Sequence, residues 1–250
     1  MNKKGFLLAT SAGFAFAPAA HAADMPLRAP PPPLPPEPIW TGLYIGGHVG
    51  TVWQQAQNTL SGNFTSGYFS SQVNATPTTT ASGFIGGGQI GYNWQHGSYV
   101  LGVEADISKL SGKGTATQAA AVFDFDKGLA FSNQIRWLST VRTRSGLAFG
   151  DTMAYVTGGF AWGGVRNSFT LTNPGCCNQT YSESKTRVGW TVGFGVEHMW
   201  DQHFTIAAEG LFVDLGRSSG TFRDTSGNKT GQFKFSNQAI IGRVKLNYKF

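Results

Sequence analysis

The sequence predicts an all-β protein: an eight-stranded antiparallel up-and-down transmembrane β-barrel with short periplasmic turns and long extracellular loops. Three observations lead there. Hydrophobicity alternates with period two in eight segments, the connections between them alternate short and long, and aromatic residues gather at both segment ends. At 250 residues the chain suits one such domain with N-terminal appendages.

The appendages come first. Lys3 and Lys4 form a positive start, Gly5 to Ala17 an apolar run, and Ala20-His21-Ala22 a small-x-small cleavage pattern. Residues 1–22 are therefore expected to be a cleaved signal peptide, because the apolar run falls short of the ~20 residues that cross a bilayer. Between 24 and 38 stand eight of the eleven prolines, including Pro30 to Pro33. Proline donates no backbone hydrogen bond, so residues 23–39 are expected to be an extended periplasmic tether of about 45 Å. Contact with peptidoglycan is the alternative reading of that tether. The barrel proper is expected over 40–250.

The predicted strands run Trp40–Trp53, Gly83–Trp94, Tyr99–Lys109, Arg136–Phe149, Met153–Val165, Lys185–Trp200, Phe204–Leu215 and Asn237–Phe250. Three connections are short, Gln95 to Ser98, Gly150 to Thr152 and Asp201 to His203. The other four, 54–82, 110–135, 166–184 and 216–236, are long. With an even strand count, every short turn falls on the side of the termini and every long loop on the other, the plan of outer-membrane barrels. A soluble barrel has no physical reason to sort its loops this way.

The two faces are chemically opposite. In the sixth segment Val188, Trp190, Val192, Phe194, Val196, His198 and Trp200 share one phase, against Arg187, Gly189, Thr191, Gly193, Gly195, Glu197 and Met199. In the last, Ile240, Gly242, Val244, Leu246, Tyr248 and Phe250 oppose Arg243, Lys245, Asn247 and Lys249. The third sets Leu101, Val103 and Ile107 against Glu104 and Asp106, and the fourth sets Trp137, Val141 and Leu147 against Arg136, Arg142 and Arg144. A slip of one residue would put these charges on lipid, so register is strongly specified.

Aromatic placement decides which face points outward. Trp40, Trp94, Tyr99, Phe149, Tyr155, Trp200, Phe204 and Phe250 lie toward the short turns. Trp53, Phe84, Trp137, Trp162, Trp190 and Phe212 lie toward the long loops. Two girdles match a membrane with two interfaces. Phe250 is expected in the periplasmic girdle, with Trp40 as its neighbour across the closing seam. The charged face then lines a lumen just wide enough for side chains. There Glu104, Asp106, Glu197 and Glu209 are expected to meet Arg142, Arg144, Arg187 and Arg243 in an ion-paired, filled interior.

With this signal peptide, Trp40-Thr41-Gly42-Leu43-Tyr44-Ile45-Gly46-Gly47 opening the first strand and Asn247-Tyr248-Lys249-Phe250 closing the last, the chain resembles a known group. It is similar to the alphaproteobacterial outer-membrane immunogenic, opacity-like β-barrel family, often labelled "porin family". The resemblance covers 40–250. It implies a surface antigen of the cell outer membrane that contributes to envelope integrity and host contact. It also implies that Tyr248 and Phe250 serve as the C-terminal signal read by the barrel-assembly machinery. It implies no catalytic residues and no cofactor, and the label does not establish a pore.

Other chemistry is thin. His48 alone among the five histidines sits in the inner phase at mid-strand, where it reads as a satisfied interior histidine and not as a member of a hydrolase triad. The Asp224 to Asn228 run lacks the carboxylates and closing Glu of a Ca²⁺ loop. For adjacent Cys176 and Cys177 a vicinal bridge, an intermolecular pair and free thiols stay open. The mature chain carries 17 basic and 13 acidic residues, too small an excess to argue nucleic-acid binding. Lipid and lipopolysaccharide, the assembly machinery, and peptidoglycan or a host surface are the partners expected. The expected function is non-enzymatic and structural, with exposed loops. A narrow passive pore and, further off, a lipid-A-modifying enzyme are the alternatives.

Overall fold

The computed structural model describes residues 40–66, 69–76, 78–112, 114–122, 125–173, 177–223 and 229–250. The expected signal peptide and tether, the Asp224 to Asn228 run and Cys176 lie outside them. The described residues contain no helix. Ten strands occur: β1 (Gly42–Ser66), β2 (Phe69–Ala75), β3 (Thr78–His96), β4 (Tyr99–Ser111), β5 (Gly114–Val122), β6 (Phe125–Phe149), β7 (Thr152–Asn173), β8 (Cys177–Met199), β9 (Phe204–Arg223) and β10 (Lys229–Lys249). Eight close a ring in the order β1-β3-β4-β6-β7-β8-β9-β10, each antiparallel to its neighbours, with β10 pairing back onto β1. The remaining two extend it locally, β2 on β1 and β5 on β6.

Two of the short turns are tighter than the sequence predicts. Gly97 and Gly150 begin two-residue hairpins at φ +59° and +62°, a conformation that glycine adopts without steric cost. The long connections differ from expectation. Much of 54–82, 110–135, 166–184 and 216–236 is strand, so β1, for example, runs 25 residues where ~9–11 suffice to cross a membrane. In these extensions the inner phase stays buried but is lined largely by polar residues, Gln54, Asn58, Thr79, Asn133 and Asn167 among them, so period-two hydrophobicity fades while the backbone ladder continues.

A β-bulge interrupts the β6–β7 ladder between Ile135 and Trp137. It corrects the phase read for Arg136. Ile135 and Leu138 point inward, and Arg136 is exposed on the outer surface beside Trp137.

The outer face is a continuous apolar band, with Leu43, Ile45 and Val49 of β1, Val156 and Phe160 of β7, and Val192, Phe194 and Val196 of β8 all exposed. Val156 stands between the periplasmic end of β7 and Trp162. Val156→Arg is expected to lower barrel stability by about 2–4 kcal/mol. Urea unfolding in lipid vesicles reads it, and an unchanged midpoint would place this face away from lipid.

Candidate functional site

Inward-pointing residues of the eight ring strands fill the lumen in three layers. At the periplasmic end Trp40, Val100, Ala148, Met153, Tyr155 and Met199 form an apolar cluster. Toward the extracellular side Val52, Ile85, Leu110, Leu138, Leu211 and Ile241 belong to a larger one. Between them lies a charged layer, and register builds it. Glu104 of β4 stands directly opposite Arg142 of β6, and Glu209 of β9 opposite Arg243 of β10.

Arg142 is the hub. Its Nη2 donates to Glu104 and, at 3.0 Å, to Asp106, while its Nη1 donates to Glu209 at 3.1 Å. Arg243 bonds Glu209 through Nε at 2.8 Å and Asp106 through Nη2 at 3.1 Å. Lys245 donates to both Glu104 oxygens, at 2.6 and 2.8 Å. Arg144 pairs with Glu197, which also accepts from Asn247 at 2.9 Å and from Thr205. Four cations thus face four carboxylates, all of them buried. Burying such charges is tolerable because each is paired; among the described residues Asp106 Oδ1 and the Nε atoms of Arg142 and Arg144 keep no hydrogen-bond partner.

Two tyrosines complete the layer. Tyr44 donates to Glu104 at 2.7 Å and accepts from Arg144 at 2.9 Å, and Tyr155 donates to Glu209 at 2.9 Å. The Arg144 guanidinium lies 4.1 Å from the centre of the Tyr155 ring. Both rings fit because glycine faces them. A Cβ at Gly195 would come 2.6 Å from the Tyr155 hydroxyl, and one at Gly91 would strike Tyr44. Glycine inside strands here makes room for large lumen side chains.

His48 is held by Gln89 at 2.6 Å and Ser108 at 2.8 Å. A serine, a histidine and an orienting acceptor in a row are the parts of an acyl-transfer triad. The orienter here is an amide, and Ser108 and His48 are only 2% and 3% exposed, so a substrate carbonyl would have to part the apolar layer to reach the hydroxyl.

Several placements depart from the sequence reading. Trp40 is not a girdle residue. It precedes β1, so strand alternation does not govern it, and the chain bends at Gly42 (φ +146°) to lay it into the periplasmic cluster at 1% exposure. Its backbone N–H donates to the Gln95 side chain at 2.7 Å. The seam neighbour of Phe250 is Leu43, whose carbonyl accepts the Phe250 N–H at 3.0 Å. Tyr155 points into the lumen and not to lipid.

Arg187 stands apart from the charged layer. It lies farther along β8, donating to Ser218 and facing Glu183 at 3.9 Å. There β8 and β9 no longer pair, their ladder ending at Trp190 and Asp214. The Glu183 carboxyl is held below the usual range: burial pushes it up, but hydrogen bonds from Lys185 and Ser218 and nearby positive charge outweigh that. Of the network's members, Lys245, Tyr44, Tyr155 and Asn247 escaped the sequence reading of the site. Lys245 and Asn247 were visible in the inner phase of the last segment, whereas nothing local marks the tyrosines as charge partners.

The other aromatics expected in the girdles sit on the outer surface. Trp94, Tyr99, Phe149, Trp200, Phe204, Tyr248 and Phe250 are exposed near the periplasmic end, and Trp53, Phe84 and Trp190 toward the extracellular end. Trp137 and Trp162 are half-buried there. Tyr248 contacts Phe204 and Phe250 edge-on, with ring centres 5.3 and 5.1 Å apart.

An eight-stranded ring with an apolar exterior, aromatic ends and a charged, filled interior defines an integral outer-membrane barrel. The chain belongs to the outer membrane protein beta-barrel domain family, which it matches over residues 6–250. It is 34% identical to the 31 kDa outer-membrane immunogenic protein of Brucella melitensis biotype 1, over 99% of this chain and all of that one. It is 32% identical to a 22 kDa outer membrane protein of Rhizobium leguminosarum bv. viciae, over 73% of this chain and 67% of that one. Among solved structures, OprG of Pseudomonas aeruginosa shares the fold at a TM-score of 0.50 and 12% identity, covering 84% of this chain and 96% of that one. The protein resides in the cell outer membrane, in the family that the Trp40 to Gly47 and Asn247 to Phe250 segments resemble.

Proposed function

We propose that this protein is a non-enzymatic, non-conducting structural barrel of the envelope, a surface antigen whose extracellular hairpins are available to host or partner. The observation that carries this reading is the lumen: four cations and four carboxylates paired between two apolar layers. Such an interior offers no water column for solutes. Relatives named as immunogenic support an exposed surface role. The barrel stabilises the outer leaflet by its apolar band and aromatic ends, and the hairpins beyond the membrane form the recognition surface.

Liposome swelling tests the claim. Vesicles containing the purified protein should swell in a small sugar no faster than empty vesicles, while a general porin swells them readily. Sugar-dependent swelling would instead support the passive-pore reading. For the enzymatic alternative, the lipid A mass profile is expected to be the same with and without the gene.

A further inference from the structure

Outside the lumen, three cations share one patch of the outer surface. Lys109 ends the β4–β6 ladder directly opposite Trp137, Arg136 occupies the bulge beside Trp137, and Arg166 of β7 faces Gln134 of β6. All three are exposed on the outward phase. With neighbouring strands ~4.8 Å apart, the patch spans about 10 Å across three strands. The bulge is what builds it, since unbroken alternation would send Arg136 into the lumen.

The setting makes the patch unusual. It lies at and just beyond the level of Trp137, whose indole covers Gly164 so closely that a Cβ there would collide with it. Aromatic rings of this kind sit at headgroup depth. Among the described residues no carboxylate pairs with Lys109, Arg136 or Arg166. Of the described carboxylate side chains toward the extracellular end, Glu183 is engaged by Lys185 and Ser218. Asp214 is engaged by the Gly216 N–H and Gln238. Three like charges this close, over apolar wall on one side and water on the other, lack only an anion at headgroup depth.

We propose that Lys109, Arg136 and Arg166 dock the phosphate of a phosphorylated glycolipid of the outer leaflet, its acyl chains lying along the apolar wall below. Arginine supplies planar forks matched to phosphate oxygens, lysine a point charge, and Trp137 a ring beside the sugar. Each basic side chain near a charged lipid surface adds measurable affinity, so losing three should weaken phosphate-dependent binding at least tenfold.

Native mass spectrometry of the full barrel, titrated with bis-phosphorylated lipid A or the same lipid stripped of phosphate, tests this. The wild-type barrel should hold the phosphorylated form at least tenfold more tightly. The Lys109→Gln, Arg136→Gln, Arg166→Gln variant should lose that preference. A control of equal charge change, Lys185→Gln, Arg217→Gln, Lys234→Gln, should keep it. Heat-modifiable gel migration reports folding, and should the triple variant fail it, Arg136→Gln alone is expected to lower the preference severalfold. Equal wild-type affinity for both lipids, an equal loss in the control, or equal competition by phosphatidylglycerol or inorganic phosphate would overturn the proposal.

Discussion

Arg142→Met is expected to destabilise the barrel by about 3–5 kcal/mol, because it removes one partner from a buried network and leaves charge uncompensated. Arg142 touches Glu104, Asp106 and Glu209, each within 3.1 Å and each buried. Methionine retains roughly the volume but none of the donors, so loss of charge pairing accounts for the effect and not loss of packing. The double variant Arg142→Met, Glu104→Gln restores the balance of signs and should recover part of the loss. Urea unfolding in vesicles measures both. A single variant within 0.5 kcal/mol of wild type would show that water or ions reach the network and screen it, against the sealed lumen proposed above.

Trp40→Ala should cost a similar amount, about 3–5 kcal/mol, as expected for removing a fully enclosed large aromatic. The cause differs. Trp40 closes the periplasmic cluster against Val100, Met153 and Met199, and its backbone N–H is fixed by Gln95. A lipid-facing girdle aromatic such as Trp200, 79% exposed, should lose far less on the same substitution. Comparing the two unfolding midpoints separates a lumen plug from a girdle residue. Equal, small losses would return Trp40 to the membrane surface.

The membrane-spanning part was legible because lipid outside and charges inside force opposite chemistry onto alternate residues. Glu104, Asp106, Arg142, Arg144, Glu197, Glu209 and Arg243 are all brought together in the lumen, as their phase required. What escaped the sequence escaped for physical reasons. Arg136 and Arg187 carry the right residue type in nominally the right phase, yet a bulge turns the first outward, and the second stands level with Gly163 and Leu138, above the charged layer. Trp40 lies just before the first residue of β1, Gly42, where strand periodicity has no authority. The hairpin extensions do not show as strands in the sequence because buried polar residues such as Gln54, Asn58 and Asn133 occupy the inner phase, which erases the hydrophobic alternation while leaving the backbone ladder intact. Tyr44 and Tyr155 were invisible as charge partners, since their roles depend on glycines on other strands, Gly91 and Gly195.

The sealed, charge-balanced lumen is the central claim, and planar-bilayer conductance of the purified wild-type barrel tests it most directly. At moderate voltage the bilayer should stay at baseline over many insertions verified by heat-modifiable migration of the same sample. Reproducible, well-resolved channel steps from that preparation would contradict it, for they would require a water path through the layer where Arg142, Arg243 and Lys245 meet Glu104 and Glu209.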